Sequence, residues 1–315
     1  MSGKKVERKP TLAHRLEFAA LRGAVGALGA LPWRVAAALG ARLGALGYRP
    51  FGIRRRVVER QIAAAFPDWP RERVRETARA AYAHLGRVTI EAMLLPGAPP
   101  GRVLELFEPE AIGWDILEAA RAEGKGIVCV TAHIGNWELA GAYVAARGVP
   151  VDAVARHMAN PLADRWIFDT RTTSGMQVVY DDQAVRHTTR ALRQGHLIAL
   201  LADQGVKGLA SSFVPFFGRP AKTPRGPAVF ALRFGAPLLF MLSYREPTGK
   251  YRLVVERIPL VDTGDREADI DALVAEWTRR LEGWVRRVPE QYFWHHQRWR
   301  RQPPDTPPEL RDPTR

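Results

Sequence analysis

The 315-residue chain contains a single cysteine, Cys129, so it can form neither an intramolecular disulfide nor a cysteine-built zinc site. That thiol sits in the run Gly126-Ile127-Val128-Cys129-Val130, where it is expected to fill a buried strand rather than attack a substrate. One free thiol also suits a reducing compartment. There is no G-x-S-x-G element, which removes the strained serine turn of α/β-hydrolases and the covalent serine route that goes with it. No uninterrupted apolar run reaches the roughly 18–20 residues of a clear membrane-spanning helix, and no internal repeat is visible. Acidic residues are in deficit. With 47 Lys and Arg against 33 Asp and Glu the formal net charge is +14, a balance that favours anionic partners, either nucleic acid or an anionic membrane.

A hydrophobic content of 46% over this length is enough to bury a sizeable core, so one large domain with appendages is expected. Residues 1–50 form the first appendage. After Lys4, Lys5, Arg8 and Lys9, the segment from Leu16 to Tyr48 is dominated by Ala, Leu, Gly and Val and interrupted by Arg22, Arg34 and Arg42. The arginines and the lack of a cleavage signal argue against a signal peptide. A retained membrane-associating helix with arginines reaching to phosphates is expected, the alternative being an Ala-rich helix packed on the soluble core. Residues 51–302 form the α/β domain. Residues 303–315, with Pro303, Pro304, Pro307, Pro308 and Pro313, lack apolar periodicity and are expected to be disordered.

Within the central region, two helices are predicted between Ile53 and Leu95, broken at Phe66-Pro67-Asp68-Trp69-Pro70. Helical and strand patterns then alternate: strands end near His133, at Val151–Ala155, Met176–Tyr180 and Leu197–Leu201, with helices between them. Lys207–Gly218 reads as a loop carrying Phe213, Phe216 and Phe217. Thr223-Pro224 reads as a helix start, followed by strands at Pro237–Ser243 and Tyr251–Ile258 and a final helix over Ile270–Arg287. The fold class is α/β, a mixed and largely parallel sheet with helices on both faces, preceded by the N-terminal membrane-associating helical segment. Ligands in such folds belong at the carboxyl ends of the strands.

The segment His133-Ile134-Gly135-Asn136-Trp137-Glu138 falls where the Ile127–Val130 strand ends. On one continuous helix, side chains five apart diverge by roughly 140°. A strand, a tight turn at Gly135 and a new helix capped by Asn136 can instead bring His133 and Glu138 together. Glu138 would then lie in the first helical turn, where the helix terminus favours its ionised form, and would orient one imidazole nitrogen while the other takes a proton. The spacing alone is equally compatible with a strand-end histidine beside an ordinary helix N-terminal acid. Trp294, His295, Arg298, Trp299 and Arg300 read as an interfacial patch for anionic lipid.

His133-Ile134-Gly135-Asn136-Trp137-Glu138 resembles the histidine-x4-acid signature of glycerolipid and lysophospholipid acyltransferases, in the form found in bacterial lipid A biosynthesis lauroyl/myristoyl acyltransferases. Further segments resemble that family in the same order: Asn160-Pro161 with Arg171, Leu201-Ala202-Asp203-Gln204, Phe213-Val214-Pro215-Phe216-Phe217-Gly218, and Pro289-Glu290-Gln291-Tyr292-Phe293-Trp294. The resemblance runs to about Pro304. It implies acyl transfer from an acyl carrier protein or coenzyme A thioester, a co-substrate rather than a cofactor, to a hydroxyl of an anionic membrane glycolipid such as a lipid A precursor. His133 is then the general base and Glu138 its orienter. Arg171 is implied as a phosphate or oxyanion ligand. Asp203, expected in the same cleft, is a substrate-positioning or Arg171-pairing candidate, with a simple turn role as the alternative. Arg156, at another strand end, is a further basic substrate-binding candidate. The implied location is the inner (cytoplasmic) membrane with the catalytic domain on its cytoplasmic side. Acylation of phosphatidylinositol mannosides is a rival within the enzyme class, and the glutamate as acid favours the lipid A form. Outside that class stands a basic protein binding membrane or nucleic acid without catalysis, although nucleic acid is not the partner the resemblance implies.

Overall fold

Six strands supply the frame of the molecule: β1 (Ile127–Thr131), β2 (Val151–Ala155), β3 (Met176–Tyr180), β4 (Leu197–Leu201), β7 (Leu238–Arg245) and β8 (Tyr251–Ile258). They lie in the order β3-β2-β4-β1-β7-β8, all parallel except the edge strand β8, which runs antiparallel to β7. The computed structural model describes residues 9–155, 157–180 and 183–315.

Successive strand residues point to opposite faces, and β1 shows the result directly. Val128 and Val130 face a core shared with Ala228 and Ala231 of α10 (Gly226–Phe234) and Leu273, Val274, Trp277 and Leu281 of α11 (Arg266–Arg287). Ile127 and Cys129 face the opposite core, with Leu117 and Ala120 of α6 (Trp114–Ala122) and Leu139, Ala142 and Tyr143 of α7 (Trp137–Ala146). β1 is apolar and buried from Ile127 to Val130 because both its faces are covered, as in other parallel sheets. The mixed, largely parallel sheet with helices on both faces is the architecture expected from the alternation in the sequence.

Residues 9–50 do not bury their surface evenly. They form α1 (Leu12–Gly29) and α2 (Trp33–Tyr48), separated at Pro32. α1 buries none of its residues, whereas α2 buries Trp33, Ala36, Ala37, Gly40 and Tyr48. α3 (Arg55–Ala65) and α4 (Arg71–Leu94) follow, with the break between them where Phe66–Pro70 predicts it. α2 lies on α4 so closely that a Cβ on Gly40 would come 2.7 Å from the Gly86 carbonyl, and one on Gly44 would come 2.9 Å from the Gly86 Cα. Glycines at this crossing let the two backbones touch. Among the described residues no helix is long and apolar enough to cross a membrane.

Three expectations from the sequence change. Lys207–Gly218 is not a loop: it contains β5 (Ser211–Phe216), paired antiparallel with β6 (Arg219–Pro224). Phe217 and Gly218, at φ +50° and +71°, make a two-residue turn of the kind that hairpins favour, and the Phe217 amide donates to Glu282 Oε2 at 2.6 Å. Thr223-Pro224 ends β6 instead of opening a helix, because Thr223 is paired with Ser212 and its hydroxyl accepts from Arg298. α10 starts at Gly226, with Pro227 in its first turn.

Residues 303–315 lie on the domain rather than away from it. Arg219 Nη1 donates to the Glu309 and Arg311 carbonyls at 2.7 and 3.0 Å, Gln302 Nε2 donates to the Leu310 carbonyl at 2.7 Å, and Thr306 is buried. Prolines already restrict the unfolded chain, so ordering this segment costs less than its lack of apolar residues suggests.

The close crossing of α2 and α4 makes a paired test. Gly44→Ala or Gly86→Ala should lower stability by about 1–3 kcal/mol or more through overpacking. Gly26→Ala, on the open face of α1 where an added Cβ meets nothing within 4 Å, should be neutral or stabilising by up to about 1 kcal/mol. Urea denaturation midpoints of the three variants check this.

Candidate active site

The parallel pairing of β1 with β4 sets Thr131 opposite Leu201. Two residues beyond each of these stand His133 and Asp203, so the register that builds the sheet also brings together side chains 70 positions apart. Asp203 Oδ1 lies 2.7 Å from His133 Nδ1, and Asp203 Oδ2 accepts the His133 backbone N–H at 3.1 Å. The Gln204 carboxamide nitrogen is 3.2 Å from the same imidazole nitrogen. With Nδ1–H donated to the carboxylate, Nε2 is the nitrogen left to accept a proton. His133 keeps a fifth of its side-chain surface exposed while Asp203 keeps 2%. The ring of Trp137 stands edge-on to the imidazole at 4.9 Å and that of Phe293 lies 5.9 Å away.

Burial by itself would push the His133 pKa down, but the charge and hydrogen bond of Asp203 outweigh it, and the pKa is raised above the ordinary imidazole value. Glu138 adds to the rise and Arg171 opposes it. Burial likewise tends to raise the Asp203 pKa, yet His133 and the nearby Arg298 guanidinium hold it below the usual carboxylate range. Arg298 is buried with Nη1 on the Lys222 carbonyl at 2.7 Å and Nη2 on Thr223 Oγ1 at 2.6 Å.

The turn after β1 is fixed from several sides. Gly135 has φ +59°, and any Cβ there would collide with the Ser243 carbonyl, so the position requires glycine. The Gly135 amide donates to the Gln291 carbonyl and the Phe293 amide to the His133 carbonyl, both at 3.0 Å, while Ile134 bridges to Tyr292. Asn136 caps α7 as its sequence context predicts, its Oδ1 accepting from the Leu139 amide at 3.1 Å. Its Nδ2 donates to Glu91 Oε2 at 3.0 Å, and the Tyr251 hydroxyl donates to the same oxygen at 2.6 Å. Burial raises the pKa of Glu91 despite these donors.

Glu138 does lie in the first turn of α7, but its hydrogen-bond partner is Arg171 and not His133. Arg171 projects from α8 (Pro161–Thr173) and grips the carboxylate with both arms, Nε to Oε2 at 2.9 Å and Nη2 to Oε1 at 2.5 Å. The expected Glu138–His133 hydrogen bond is thus replaced by Asp203–His133, and the expected Asp203–Arg171 pairing by Glu138–Arg171. The reason lies in the register, which puts Asp203 just past the end of β4 beside His133, while Glu138 in the first turn of α7 meets α8. That helix is capped by Asn160, whose Oδ1 accepts from the Leu162 amide at 3.1 Å and whose Nδ2 donates to the His14 carbonyl of α1 at 3.0 Å. Arg156 lies outside the described residues.

The aromatic-basic run is not an exposed lipid patch. Trp294, Arg298 and Trp299 are buried. Gln61 pins this segment from α3, donating to the Trp294 and His296 carbonyls at 2.6 and 2.8 Å and accepting from the Arg298 amide at 2.7 Å. Phe216 and Phe217 are core residues as well, and only Phe213 of that trio is exposed. Gln61, Glu91 and Arg298 gave no sign of these roles in the sequence, since each depends on contacts more than 40 residues away.

An α/β domain with a histidine–carboxylate pair at the strand ends fits the acyltransferase class, and comparison with known proteins agrees. Residues 7–301 match the model for the family described as bacterial lipid A biosynthesis acyltransferase, and the chain belongs to that family. It is 27% identical over 282 residues to the lipid A biosynthesis lauroyltransferase of Escherichia coli K12, covering 88% of this chain and 89% of that one. It is 28% identical to the palmitoleoyltransferase of the same organism, covering 87% of each. A phosphatidylinositol mannoside acyltransferase of Mycobacterium tuberculosis is 29% identical over 158 residues, about half of each chain.

Proton NMR titration tests the central pair. His133 should titrate above the ordinary imidazole pKa. In Asp203→Asn it should fall below that value, because burial then acts with its main opposing charge removed. An unchanged His133 pKa in the variant would show that the pair is not formed in solution.

Proposed function

We propose that the protein transfers a fatty acyl group from an acyl carrier protein or coenzyme A thioester to a hydroxyl of a membrane glycolipid of the lipid A precursor type, with no cofactor. The observation that carries this is the Asp203–His133 pair, with Nδ1 engaged and Nε2 free at the carboxyl end of β1. Nε2 takes the proton of the acceptor hydroxyl as its oxygen attacks the thioester carbonyl. The tetrahedral intermediate then collapses, the C–S bond breaks, and the imidazolium returns the proton to the departing thiolate. Asp203 holds the tautomer and stabilises the imidazolium, as the aspartate of a serine hydrolase does, here without a serine. Glu138 holds Arg171 by two of its nitrogens, and among the described residues Nη1 of Arg171 keeps no hydrogen bond, so it is available to a substrate carbonyl or phosphate oxygen. The near full-length match to lipid A acyltransferases, against half-length for the phosphatidylinositol mannoside enzyme, supports the lipid A type of acceptor.

The face that meets the membrane is proposed to be the N-terminal pair of helices. Leu12, Leu16, Leu31, Val35, Leu43, Leu46, Phe51 and Ile53 are all exposed there, with Arg22, Arg34 and Arg42 exposed among them. This combination suits an interfacial helix on anionic lipid, at the cytoplasmic face of the inner membrane.

Purified protein given acyl thioester and detergent-solubilised glycolipid should release thiol and acylate the lipid. His133→Ala should lower the rate by roughly 10³-fold or more and Asp203→Asn by roughly 10²–10⁴-fold. Rates within a few-fold of wild type would overturn the general-base assignment. Leu12→Glu/Leu16→Glu should weaken flotation with anionic vesicles while leaving thermal stability unchanged, since neither leucine is buried.

A further inference from the structure

Behind the His133 turn a cavity of about 490 Å³ opens between α4, the end of β7 and the Pro289–Gln291 turn. Its lining includes His84, Arg87, Arg245, Glu246, Glu290 and Gln291. Arg87 and Arg245 repel each other, and repulsion from Arg245 joins burial in lowering the Arg87 pKa. Among the described residues neither guanidinium has an ion-pair partner or a side-chain hydrogen bond. Glu246 is committed elsewhere, to Arg252 at 2.7 Å and the Tyr244 hydroxyl at 2.8 Å. Glu91, one helical turn from Arg87, attracts it but gives its hydrogen bonds to Asn136 and Tyr251. Glu290, also in the lining, makes no ion pair with either arginine among the described residues, and the charges that help lower the His84 pKa, those of Arg87 and Arg245, are both positive.

Two half-buried arginines on one space, whose lining carboxylates Glu246 and Glu290 pair with neither of them among the described residues, are costly unless a ligand supplies the counter-charge. Their fork geometry matches phosphate oxygens. The cavity is also tied to the candidate catalytic histidine. His84 Nε2 donates to the Gly135 carbonyl at 3.0 Å, and Gln291, another lining residue, accepts the Gly135 amide through its backbone. Ala41 of α2 stands at the lining too, on the helix whose Leu43 and Leu46 face outward.

We propose that this cavity is a phosphate subsite, in which Arg87 and Arg245 hold a phosphate ester of a substrate whose reacting end lies at His133, an assignment that rests on acyl transfer at that residue. The ester belongs either to the acceptor glycolipid or to the pantetheine arm of the donor. Burial keeps His84 largely neutral, with a pKa near 4, so a bound anion has a local reporter.

Isothermal titration of the full chain with inorganic pyrophosphate tests the subsite without catalysis. Wild type and His133→Ala should bind alike, Arg87→Gln and Arg245→Gln should each weaken binding roughly 10-fold or more, and Arg245→Lys should recover part of the loss. On saturation the His84 pKa should rise, as an anion favours the imidazolium. No binding by wild type, or equal binding by folded Gln variants, would overturn the proposal. Since His133→Ala is expected to bind, failure of the acyl-transfer assignment and failure of the subsite are separately visible. Two kinetic comparisons identify the source: phosphorylated against phosphatase-treated glycolipid, and acyl-coenzyme A against acyl-pantetheine. Wild type should show a KM difference of roughly 10-fold in one of them, and Arg87→Gln should abolish it. A difference retained by the variant in both would count against the subsite.

Discussion

The parallel register of β1 against β4 is the constraint on which the site depends. It sets Thr131 opposite Leu201 and thereby delivers His133 to Asp203 just beyond the strand ends. Everything around the pair serves to hold that geometry. Gly135 allows the chain to pass close to the Ser243 carbonyl, the 291–293 segment binds the turn by backbone hydrogen bonds, and His133 together with buried Arg298 holds the Asp203 pKa down. A site built on strand ends is more rigid than one built on loops, and here the rigidity extends through Gln61 to α3.

Local features of this architecture were legible in the sequence. The apolar run ending near His133, the Asn136 cap, Glu138 in the first helical turn and the alternation of strands with helices each depend on neighbours a few residues apart. The partners of the site residues were not legible, because pairing β1 with β4 is a choice among parallel strands that no local pattern specifies. Local pattern therefore gives Glu138 to His133 where the fold gives it to Arg171, and it makes Asp203 a substrate-positioning or Arg171-pairing residue where the fold pairs it with His133. Side-chain type was a poor guide to exposure for a similar reason. Trp294, Arg298 and Trp299 have the composition of a lipid-facing patch, but the two indoles donate to the Pro289 and Phe216 carbonyls, and Gln61 and Thr223 hold the Trp294 carbonyl and the Arg298 amide and guanidinium inside the protein. The β5–β6 hairpin was hidden by Pro215, Pro220 and a turn with phenylalanine at positive φ, a conformation that residue seldom adopts.

The alanine- and glycine-rich N-terminus illustrates an ambiguity of composition. Small residues allow close packing of helices both in lipid and within a soluble core, and the two helices here divide these uses. α2 uses its glycines for contact with α4, whereas α1 keeps Leu12 and Leu16 exposed and touches the body partly through Asn160, the residue that also caps α8. α8 carries Arg171. α1 and the Glu138–Arg171 pair are thus both attached to α8.

Cys129 lies in the strand that ends at the candidate catalytic histidine, and burial pushes its pKa up to about 12. Nucleophilic thiol chemistry runs through the thiolate, so at neutral pH this sulfur is both inaccessible and unreactive. The folded chain is therefore silent to thiol-specific dyes and to thioester exchange. Any free thiol that accumulates in its presence has come from a donor molecule, and an acyl group that leaves the donor has no resting place on a protein cysteine.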